Sequence, residues 1–286
     1  MEQIFLYDQF YNRYIITGRL RALTALHIGA PQDSLEIGAV DARVVKNAAG
    51  QPFIPGSSFK GVWRSFTEQV LRALLGEDKV CLITGQGQRC VDREVERNNE
   101  KVNIIKYLKD SYGDNFEELA REIYRQSCPA CRLFGHTHLA GKVQVADLPV
   151  LPETWCGHYD LRTGVGIERD SLTKADKVLY DLEAVPAGTC FALEVVMENL
   201  TDQELEHALY GLLAWQRGEL ALGGRTSRGM GRVVLEDVAV RRIERRDLPK
   251  WLLCSDWRDW PALTLEEVAG EYWPGAGGER VVQNAL

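Results

Sequence analysis

Two glycine-containing segments, residues 54–64 and 223–232, constrain the fold of this chain most. The first reads IPGSSFKGVWR and leads into a helical pattern, and the second reads GGRTSRGMGR and fits a tight connection from a helix to a strand. Both place glycines beside hydroxyl side chains and Arg or Lys side chains. Backbone N–H groups at such positions can bind an anion without reading base identity. The pair therefore favours a surface that holds a phosphodiester backbone.

The secondary structure predicted around these segments alternates between strands and helices. Strands are predicted at 13–27, 142–148, 191–198 and 233–243. Amphipathic helices are predicted at 58–75 and from residue 201 onward. The resulting order is βαββαβ, the split βαβ or ferredoxin-like (RRM-like) arrangement of the α+β class, which RNA-recognition modules also use. We therefore predict one such core for the 286-residue chain.

The ends of both helices carry recognisable capping signals. Ser57 or Ser58 is expected to cap the first helix, and Gly76 is expected to end it. The apolar side chains expected on its inward face are those of Phe59, Val62, Phe66, Val70 and Leu74. The second helix opens with the capping box Thr201-x-x-Glu204, whose two side chains can satisfy free N–H groups reciprocally.

Three further stretches depart from the core pattern. Residues 77–140 are polar, carry four cysteines and are interpreted as an insertion, with a capped helix from Asn115 to about residue 126. Residues 157–186 are polar with little apolar periodicity, which favours a projecting hairpin. Residues 249–286 are rich in Trp and Gly, and we expect them to wrap the surface of the same domain.

The cysteines of the insertion form a Cys-x8-Cys pair and a distant Cys-x2-Cys pair, and they are Cys81, Cys90, Cys128 and Cys131. Two thiolates at the closer spacing can share one tetrahedral Zn2+. Four protein ligands leave no open coordination position, so we predict a structural zinc site. His136 or His138 could replace one member of the first pair, and the sequence leaves this alternative open.

The formal net charge of −7 argues against a free-standing, non-specific RNA binder, since such proteins are usually basic. Positive side chains are nevertheless concentrated within residues 41–72, namely Arg43, Lys46, Lys60, Arg64 and Arg72. No stretch approaches the ~18 apolar residues of a membrane span, and the N-terminus lacks the pattern of a signal peptide. We expect a cytoplasmic protein with no membrane partner and with reduced or metal-bound cysteines.

Four motifs, in the same order along the chain, resemble those of the RAMP superfamily, whose members build CRISPR effector complexes. They are LHIG at 26–29, IGAVD at 37–41, IPGSSFKG at 54–61 and the glycine-rich loop at 223–232. The third is similar to the IPGSSxKG signature of the repeated backbone subunit of type III complexes. The insertion with its cysteines resembles that of zinc-containing members of the type III-D branch.

The resemblance implies a subunit that polymerises along a CRISPR guide RNA beside further copies or relatives of itself. A hairpin thumb, here within 157–186, would interrupt the duplex between guide and target RNA. The residues that the resemblance assigns to the RNA backbone are Ser57, Ser58, Lys60, Arg64, Gly224, Arg225, Thr226, Ser227 and Arg228. Sequence recognition would then rest on base pairing, while the protein reads backbone and shape.

The resemblance also assigns cleavage of complementary target RNA to Asp41. One carboxylate can hold a divalent ion, Mg2+ or Mn2+, that supplies Lewis acidity or a metal-bound base. Asp33 and Glu36 are nearby carboxylates that could share this ion. The residues alone leave open that Asp41 is a solvated loop residue or forms an Asx-turn.

Three other functions stay open at this stage. The chain could be a non-catalytic backbone or capping subunit of the same complex, and loss of cleavage in Asp41→Ala with assembly intact would separate the two. It could be a guide-processing endonuclease that uses His27 as a base and needs no metal, in which case activity would survive EDTA. It could also be a zinc-stabilised scaffold that purifies free of nucleic acid.

Overall fold

The computed structural model describes residues 4–30, 42–85, 89–97, 99–167 and 174–273. The candidate acidic residues Asp33, Glu36 and Asp41 lie outside the described residues. Within the described ranges, no helix combines the length and the hydrophobicity that crossing a bilayer requires.

The described residues form a mixed α+β structure. Its strands are β1 (Asn12–Ala22), β2 (Phe53–Ile54), β3 (Glu94–Arg97), β4 (Glu100–Asn103), β5 (Val143–Val145), β6 (Leu148–Pro149), β7 (Asp160–Ile167), β8 (Lys174–Ala184), β9 (Cys190–Glu198) and β10 (Val233–Glu244). Its α-helices are α1 (Gly56–Leu75), α2 (Ile104–Tyr112), α3 (Phe116–Gln126), α4 (Pro129–Phe134), α5 (Asp202–Gln216), α6 (Leu248–Leu253) and α7 (Leu265–Gly270).

A four-stranded antiparallel sheet lies at the centre, with its strands in the order β10-β1-β9-β5. Tyr14 of β1 lies opposite Arg242 of β10 on one side and Met197 of β9 on the other. Met197 in turn lies opposite Val143 of β5. The first strand of the chain is therefore interior in the sheet, and the last strand forms an edge.

The first strand is shorter than the sequence predicts. It ends at Ala22 rather than at His27, because the N–H groups of Leu23 and Thr24 both turn to the carbonyl of Arg232. His27 consequently lies in the connection that leaves the sheet, where its side chain can reach other loops.

Helices α1 and α5 pack against each other and share the main hydrophobic core with the sheet. The rings of Phe59 and Trp215 stack with their centroids 4.7 Å apart. The indole N–H of Trp63 donates to the carbonyl of Ala208 at 3.1 Å. Gly211 makes this approach possible, because a Cβ atom there would overlap the Trp63 ring.

Helix α1 begins at Gly56, and the prediction that Ser57 or Ser58 caps it is wrong. Pro55 occupies the N-cap position, and no side chain caps the helix from there. Instead, the N–H of Gly56 donates to Oδ1 of Asp147 at 2.8 Å. Both serines lie in the first turn, past the capping position, so a carboxylate from a distant loop satisfies the helix start.

The buried face of α1 agrees with the prediction in part, since Phe59 is enclosed and Val62 and Phe66 pack against the main core. A stripe of enclosed side chains repeats every four residues, at Phe59, Trp63, Thr67 and Leu71, and Glu68 is buried beside it. Leu74 is 62% exposed, because this stripe does not extend to the last turn of the helix. Gly76 follows the helix with a positive φ of 105°, as predicted for its end.

The cysteine-bearing insertion has a small core of its own. Strands β3 and β4 form a hairpin, and α2 and α3 pack together around the buried side chains of Ile104, Ile105, Leu108 and Ile123. Asn115 accepts a hydrogen bond from the N–H of Glu118 at 3.3 Å, which confirms the predicted start of α3. Helix α4 then leads back to the main core through Leu133 and Phe134.

A long antiparallel hairpin, β7 and β8, occupies the region where the sequence predicts one. It pairs outside the four-stranded sheet, and its base is held by an isolated bridge between Leu26 and Val185. A second bridge joins Ala42 to Leu182 in a parallel sense. The base of the hairpin is therefore attached at two points to the connection between β1 and β2.

Within residues 249–273, the described part of the C-terminal segment, the chain also contributes to the core. Leu265 and Val268 of α7 are fully enclosed in the main core. Leu263 exchanges two backbone hydrogen bonds of 2.8 Å with Val240 of β10. This pairing covers part of the sheet edge, so the segment contributes to the fold itself.

Candidate nucleic-acid interface and metal centre

His27 joins the hairpin to the glycine-rich loop. Its imidazole Nδ1 donates to the carbonyl of Glu183 in β8 at 2.8 Å. Its own carbonyl accepts from the N–H of Gly224 at 2.8 Å. The residue is 8% exposed, so its position favours a structural joint over a catalytic base.

Two glycines fix the path of the loop between α5 and β10. Gly223 has a φ of 82° and Gly231 a φ of 78°, a region that residues with a Cβ atom rarely adopt. A Cβ atom at 223 would overlap the carbonyl oxygen of His27, and one at 231 would overlap that of Leu222. Glycine is therefore required at both ends of the loop by close backbone approach.

The tip of this loop faces solvent. Thr226 to Arg228 form a single 3-10 turn, entered through Arg225 in the left-handed conformation with a φ of 61°. Gly224, Thr226, Ser227 and Arg228 are exposed, and Arg225 is half-buried. Hydroxyl and guanidinium groups are thus presented together on an exposed turn, as contact with phosphate oxygens requires.

The first turn of α1 presents fewer of the predicted contacts. Ser57 is exposed and Ser58 is half-buried. The ammonium of Lys60 donates to the carbonyl of Val143 at 2.7 Å. Burial lowers the pKa of Lys60, and the charge of Arg64 lowers it further. Ser57 is therefore the most accessible group of this turn.

Glu183 connects the hairpin to the segment that follows residue 41. Its N–H donates to the carbonyl of Ala42 at 2.9 Å. Its carboxylate accepts from the N–H of Val44 at 3.2 Å and pairs with Nζ of Lys46 at 2.9 Å. The same ammonium lies 4.2 Å from the ring centroid of Tyr159, at the start of the hairpin. No local sequence signal marks Glu183, because all these partners are distant in the chain.

Four cysteine sulfurs meet in the interior beside α4. The sulfurs of Cys81, Cys90, Cys128 and Cys131 all lie within 4.8 Å of one another, and all four residues are buried and unbridged. Cys81 Sγ lies 3.4 Å from Cys131 Sγ and 3.6 Å from Cys128 Sγ. Zinc–sulfur bonds of ~2.3 Å in a tetrahedron would place sulfurs about 3.8 Å apart. The cluster therefore fits a divalent ion such as zinc.

Hydrogen bonds within the cluster already favour a thiolate. The neighbouring thiols of Cys131, Cys81 and Cys90 lower the pKa of Cys128. The Cys90 sulfur also accepts from the N–H of Cys128 at 3.2 Å. The contacts with Cys128 raise the pKa of Cys81 and of Cys131 at the same time, so the cluster by itself favours a thiolate at Cys128, and a bound ion would favour ionisation of the others.

The structure does not support a histidine in place of a cysteine ligand. His136 contacts Oγ of Ser127 at 2.9 Å through Nε2, and its Nδ1 accepts from the N–H of His138 at 3.1 Å. Both ring nitrogens of His136 are thus engaged, while His138 is exposed. Among the described residues, the donor atoms that come together are the four sulfurs.

Arg64, one of the predicted RNA contacts, is mostly buried beside the cysteine cluster. Its side chain is only 12% exposed and pairs with Glu68 on the next turn of α1. Its guanidinium also donates to the sulfur of Cys131 at 3.2 Å. The structure thus brings Arg64 to the cysteine cluster and leaves the glycine-rich loop and Ser57 as the exposed parts of the predicted set.

Comparison with known sequences identifies a family and several related proteins. The sequence profile of the RAMP superfamily matches residues 19–234. A protein of Methanocaldococcus jannaschii named CRISPR system Cms endoribonuclease Csm3 is 27% identical over 237 residues, which are 79% of this chain and 79% of that protein.

Two further proteins with the same name match shorter segments. The one from Methanothermobacter thermautotrophicus is 38% identical over 85 residues, 27% of this chain and 35% of its own length. The one from Enterococcus italicus is 38% identical over 68 residues, 23% of this chain and 32% of its own length. These two alignments span only about a third of each relative.

Proposed function

Because this chain belongs to the RAMP superfamily, we propose that it is a backbone subunit of a type III CRISPR interference complex that holds guide RNA and cleaves complementary target RNA. Its relatives carry the name of an endoribonuclease in that system. The single observation that carries the proposal is the pair of hydrogen bonds that His27 makes, one to Glu183 and one to Gly224. It connects the base of the hairpin and the glycine-rich loop beside the segment that follows residue 41.

The proposed core is ferredoxin-like, which the sheet order supports. The strands β1, β5, β9 and β10 with helices α1 and α5 follow the chain order βαββαβ. On this core the exposed loop tip and the start of α1 would bind the guide backbone. The residues we assign to it are Ser57, Gly224, Arg225, Thr226, Ser227 and Arg228, with Ser58 and Lys60 at its edge.

The hairpin β7 and β8 is the proposed thumb that interrupts the duplex between guide and target. Its two long strands pair only with each other along most of their length. Asp160 lies opposite Ala184 at its base. A rigid base is useful here, because the position of the interruption relative to the cleavage residue must be constant.

Asp41 is the proposed cleavage residue, with Mg2+ or Mn2+ as the ion that it binds. Ala42, the next residue, is fixed by hydrogen bonds to Asp181 at 3.2 Å and to Glu183 at 2.9 Å. These bonds attach Ala42, the residue that follows Asp41 in the sequence, to the base of the hairpin. A bound divalent ion would stabilise charge on the scissile phosphate and lower the pKa of a nucleophile.

The cysteine cluster is the proposed structural Zn2+ site. Four buried thiolates complete a tetrahedral shell, so the ion would stabilise the insertion rather than take part in cleavage. We further propose that the assembled complex works in the cytoplasm, with other effector subunits and copies or relatives of this chain as its partners.

A cleavage assay on the assembled complex tests this function. The chain would be co-expressed with its neighbouring subunits and a guide, and labelled complementary RNA would be added with Mg2+, with Mn2+ or with EDTA. We expect regularly spaced cuts that need the metal and disappear in Asp41→Ala. Glu153→Ala, which removes an exposed carboxylate outside the proposed site, is the control and should cut normally.

The outcomes separate the proposal from its alternatives. A complex that binds the target but leaves it intact in the wild type would make the chain a non-catalytic subunit. Cleavage that continues in EDTA would instead favour a metal-independent endonuclease. A purified chain that carries no RNA would contradict the guide-binding role altogether.

A further inference from the structure

Arg64 spans one side of helix α4. Its Nη2 donates to the sulfur of Cys131 at 3.2 Å, and its Nη1 donates to the carbonyl of Gly135 at 2.7 Å. Cys131 is the third residue of α4, Cys128 is its N-cap and Gly135 follows its last residue. One side chain of α1 therefore bonds to a sulfur within this short helix and to the backbone that ends it.

Glu68 orients this guanidinium. Its Oε1 accepts from Nε of Arg64 at 2.6 Å, and the two side chains are only 12% and 7% exposed. The planar guanidinium therefore donates in three directions, to the Glu68 carboxylate, the Gly135 carbonyl and the Cys131 sulfur. Lysine has no comparable fork, so the arrangement depends on arginine rather than on charge alone.

The charge of the cluster explains why a cation is useful here. Four thiolates around a divalent ion leave a net charge of about −2 on the site. Charge buried without compensation is costly, and an arginine stays protonated under all ordinary conditions. The other basic group near the start of α1, Lys60, donates to the carbonyl of Val143 instead of to a sulfur.

We propose that Arg64 is a positioning residue of the cysteine metal centre, which places a positively charged N–H donor against the Cys131 sulfur and fixes α4 against α1, and that Glu68 orients it. This inference rests on the proposed metal site. It gives a physical link between the metal centre in the insertion and the helix whose first turn belongs to the proposed RNA interface.

Metal affinity of the purified full-length chain tests the inference directly. Co2+ would be titrated into the metal-free protein and then displaced by a competing chelator, with thiolate-to-cobalt absorption as the readout. We expect Arg64→Met to weaken binding 10- to 100-fold, the usual effect of losing a group that supports a metal ligand. Arg64→Lys keeps the charge but loses the fork, so its affinity should fall between those of Arg64→Met and the wild type.

Lys60→Met is the matched control, because it removes a half-buried cation from the same helix without touching a sulfur. Its cobalt affinity should equal that of the wild type. Circular dichroism of every variant would establish that it is folded, and if Arg64→Met does not fold, Arg64→Lys carries the test. If a folded Arg64 variant binds cobalt as tightly as the wild type, the proposed role of Arg64 is wrong, while the metal site itself is unaffected by that result.

Failure of the underlying metal site has a different signature. If the wild-type chain gives no absorption typical of four thiolates around cobalt, both the site and this inference are wrong. If the wild type gives that absorption and Arg64→Met binds more weakly while Lys60→Met does not, the inference holds. RNA cleavage does not enter any of these measurements, so they are independent of Asp41.

Discussion

The Nζ atom of Lys142 lies 2.7 Å from Oε2 of Glu204, and the two side chains are 3% and 4% exposed. Glu204 belongs to the capping box that starts α5, and Lys142 directly precedes β5. Tyr124 of α3 donates its hydroxyl to Oε1 of the same carboxylate at 3.0 Å. A single buried carboxylate therefore connects the insertion, the edge strand and the second core helix.

Removing Glu204 should destabilise the fold severely. Glu204→Ala leaves the ammonium of Lys142 buried without its counter-ion, and burial already lowers the pKa of that lysine. We expect the free energy of unfolding to fall by about 3–5 kcal/mol, measured by urea denaturation. Gln203→Ala, an exposed neighbour in the same turn, should change it by no more than about 0.5 kcal/mol. A loss below about 1 kcal/mol in Glu204→Ala would contradict this account.

If the cysteine cluster binds zinc, substitution of two different buried cysteines should have different effects on the zinc content of the protein. Cys128→Ser should abolish stoichiometric zinc binding, since it removes one of four ligands and the thiolate that its neighbours favour. Cys190→Ser changes a buried cysteine outside the cluster and should keep about one zinc per chain. Metal analysis of the purified proteins checks this. Equal zinc content in both variants would exclude the cluster as the site.

Acid should weaken the fold through His136. Burial, followed by the charges of His138 and Arg64, lowers its pKa from 6.5 to about 4. A histidine with a lowered pKa contributes stability above its unfolded pKa, and that contribution is lost as the pH falls from about 6.5 toward 4. Protonation of Nδ1 would also end its acceptance from the N–H of His138.

The corresponding experiment compares the wild type with His136→Gln. Thermal unfolding from pH 7.5 to 5 should lose more stability in the wild type than in the variant. Zinc-saturated and chelated samples would both be measured, because thiolate protonation also releases metal. Parallel pH profiles for the two proteins in both samples would show that another group titrates.

Two glycines with nearly the same positive φ should respond differently to alanine. Gly223 and Gly229 have φ angles of 82° and 81°, but only a Cβ atom at 223 would meet backbone, the carbonyl of His27. Gly229→Ala should lower the free energy of unfolding by about 1–2 kcal/mol, because alanine is strained in the left-handed conformation. Gly223→Ala should cost at least about 1 kcal/mol more and should also reduce guide retention. Equal losses would mean that the close approach is unimportant.

The exposed loop tip should contribute a salt-dependent part of guide binding. Arg228→Ala is expected to lower the affinity for any guide sequence and to reduce the slope of log K against log salt by about 1, as loss of one phosphate contact does. Filter binding at several salt concentrations measures both. Arg217→Ala, an exposed arginine just after α5, should change neither. A loss confined to particular guide sequences would point to base contact instead.

The sequence alone predicts those features that depend on contacts between residues a few positions apart. The capping residues Thr201 and Asn115 act on N–H groups three residues away, and both were recognised from spacing alone. The four cysteines were identified as one set, and the structure confirms that their sulfurs meet. The resemblance to the RAMP superfamily rested on short motifs and is confirmed by the match over residues 19–234.

The partners of buried polar groups were decided by the tertiary structure. Arginine is a residue type that often contacts RNA, yet the guanidinium of Arg64 donates to the sulfur of Cys131, 67 positions away. The start of α1 has two serines of capping type, yet its first N–H bonds to Asp147, 91 positions away. Residue type and spacing report only on neighbours within a few positions. Which distant group satisfies a buried donor depends on how the chain packs, and that choice is made only when the insertion, the sheet and the helices come together.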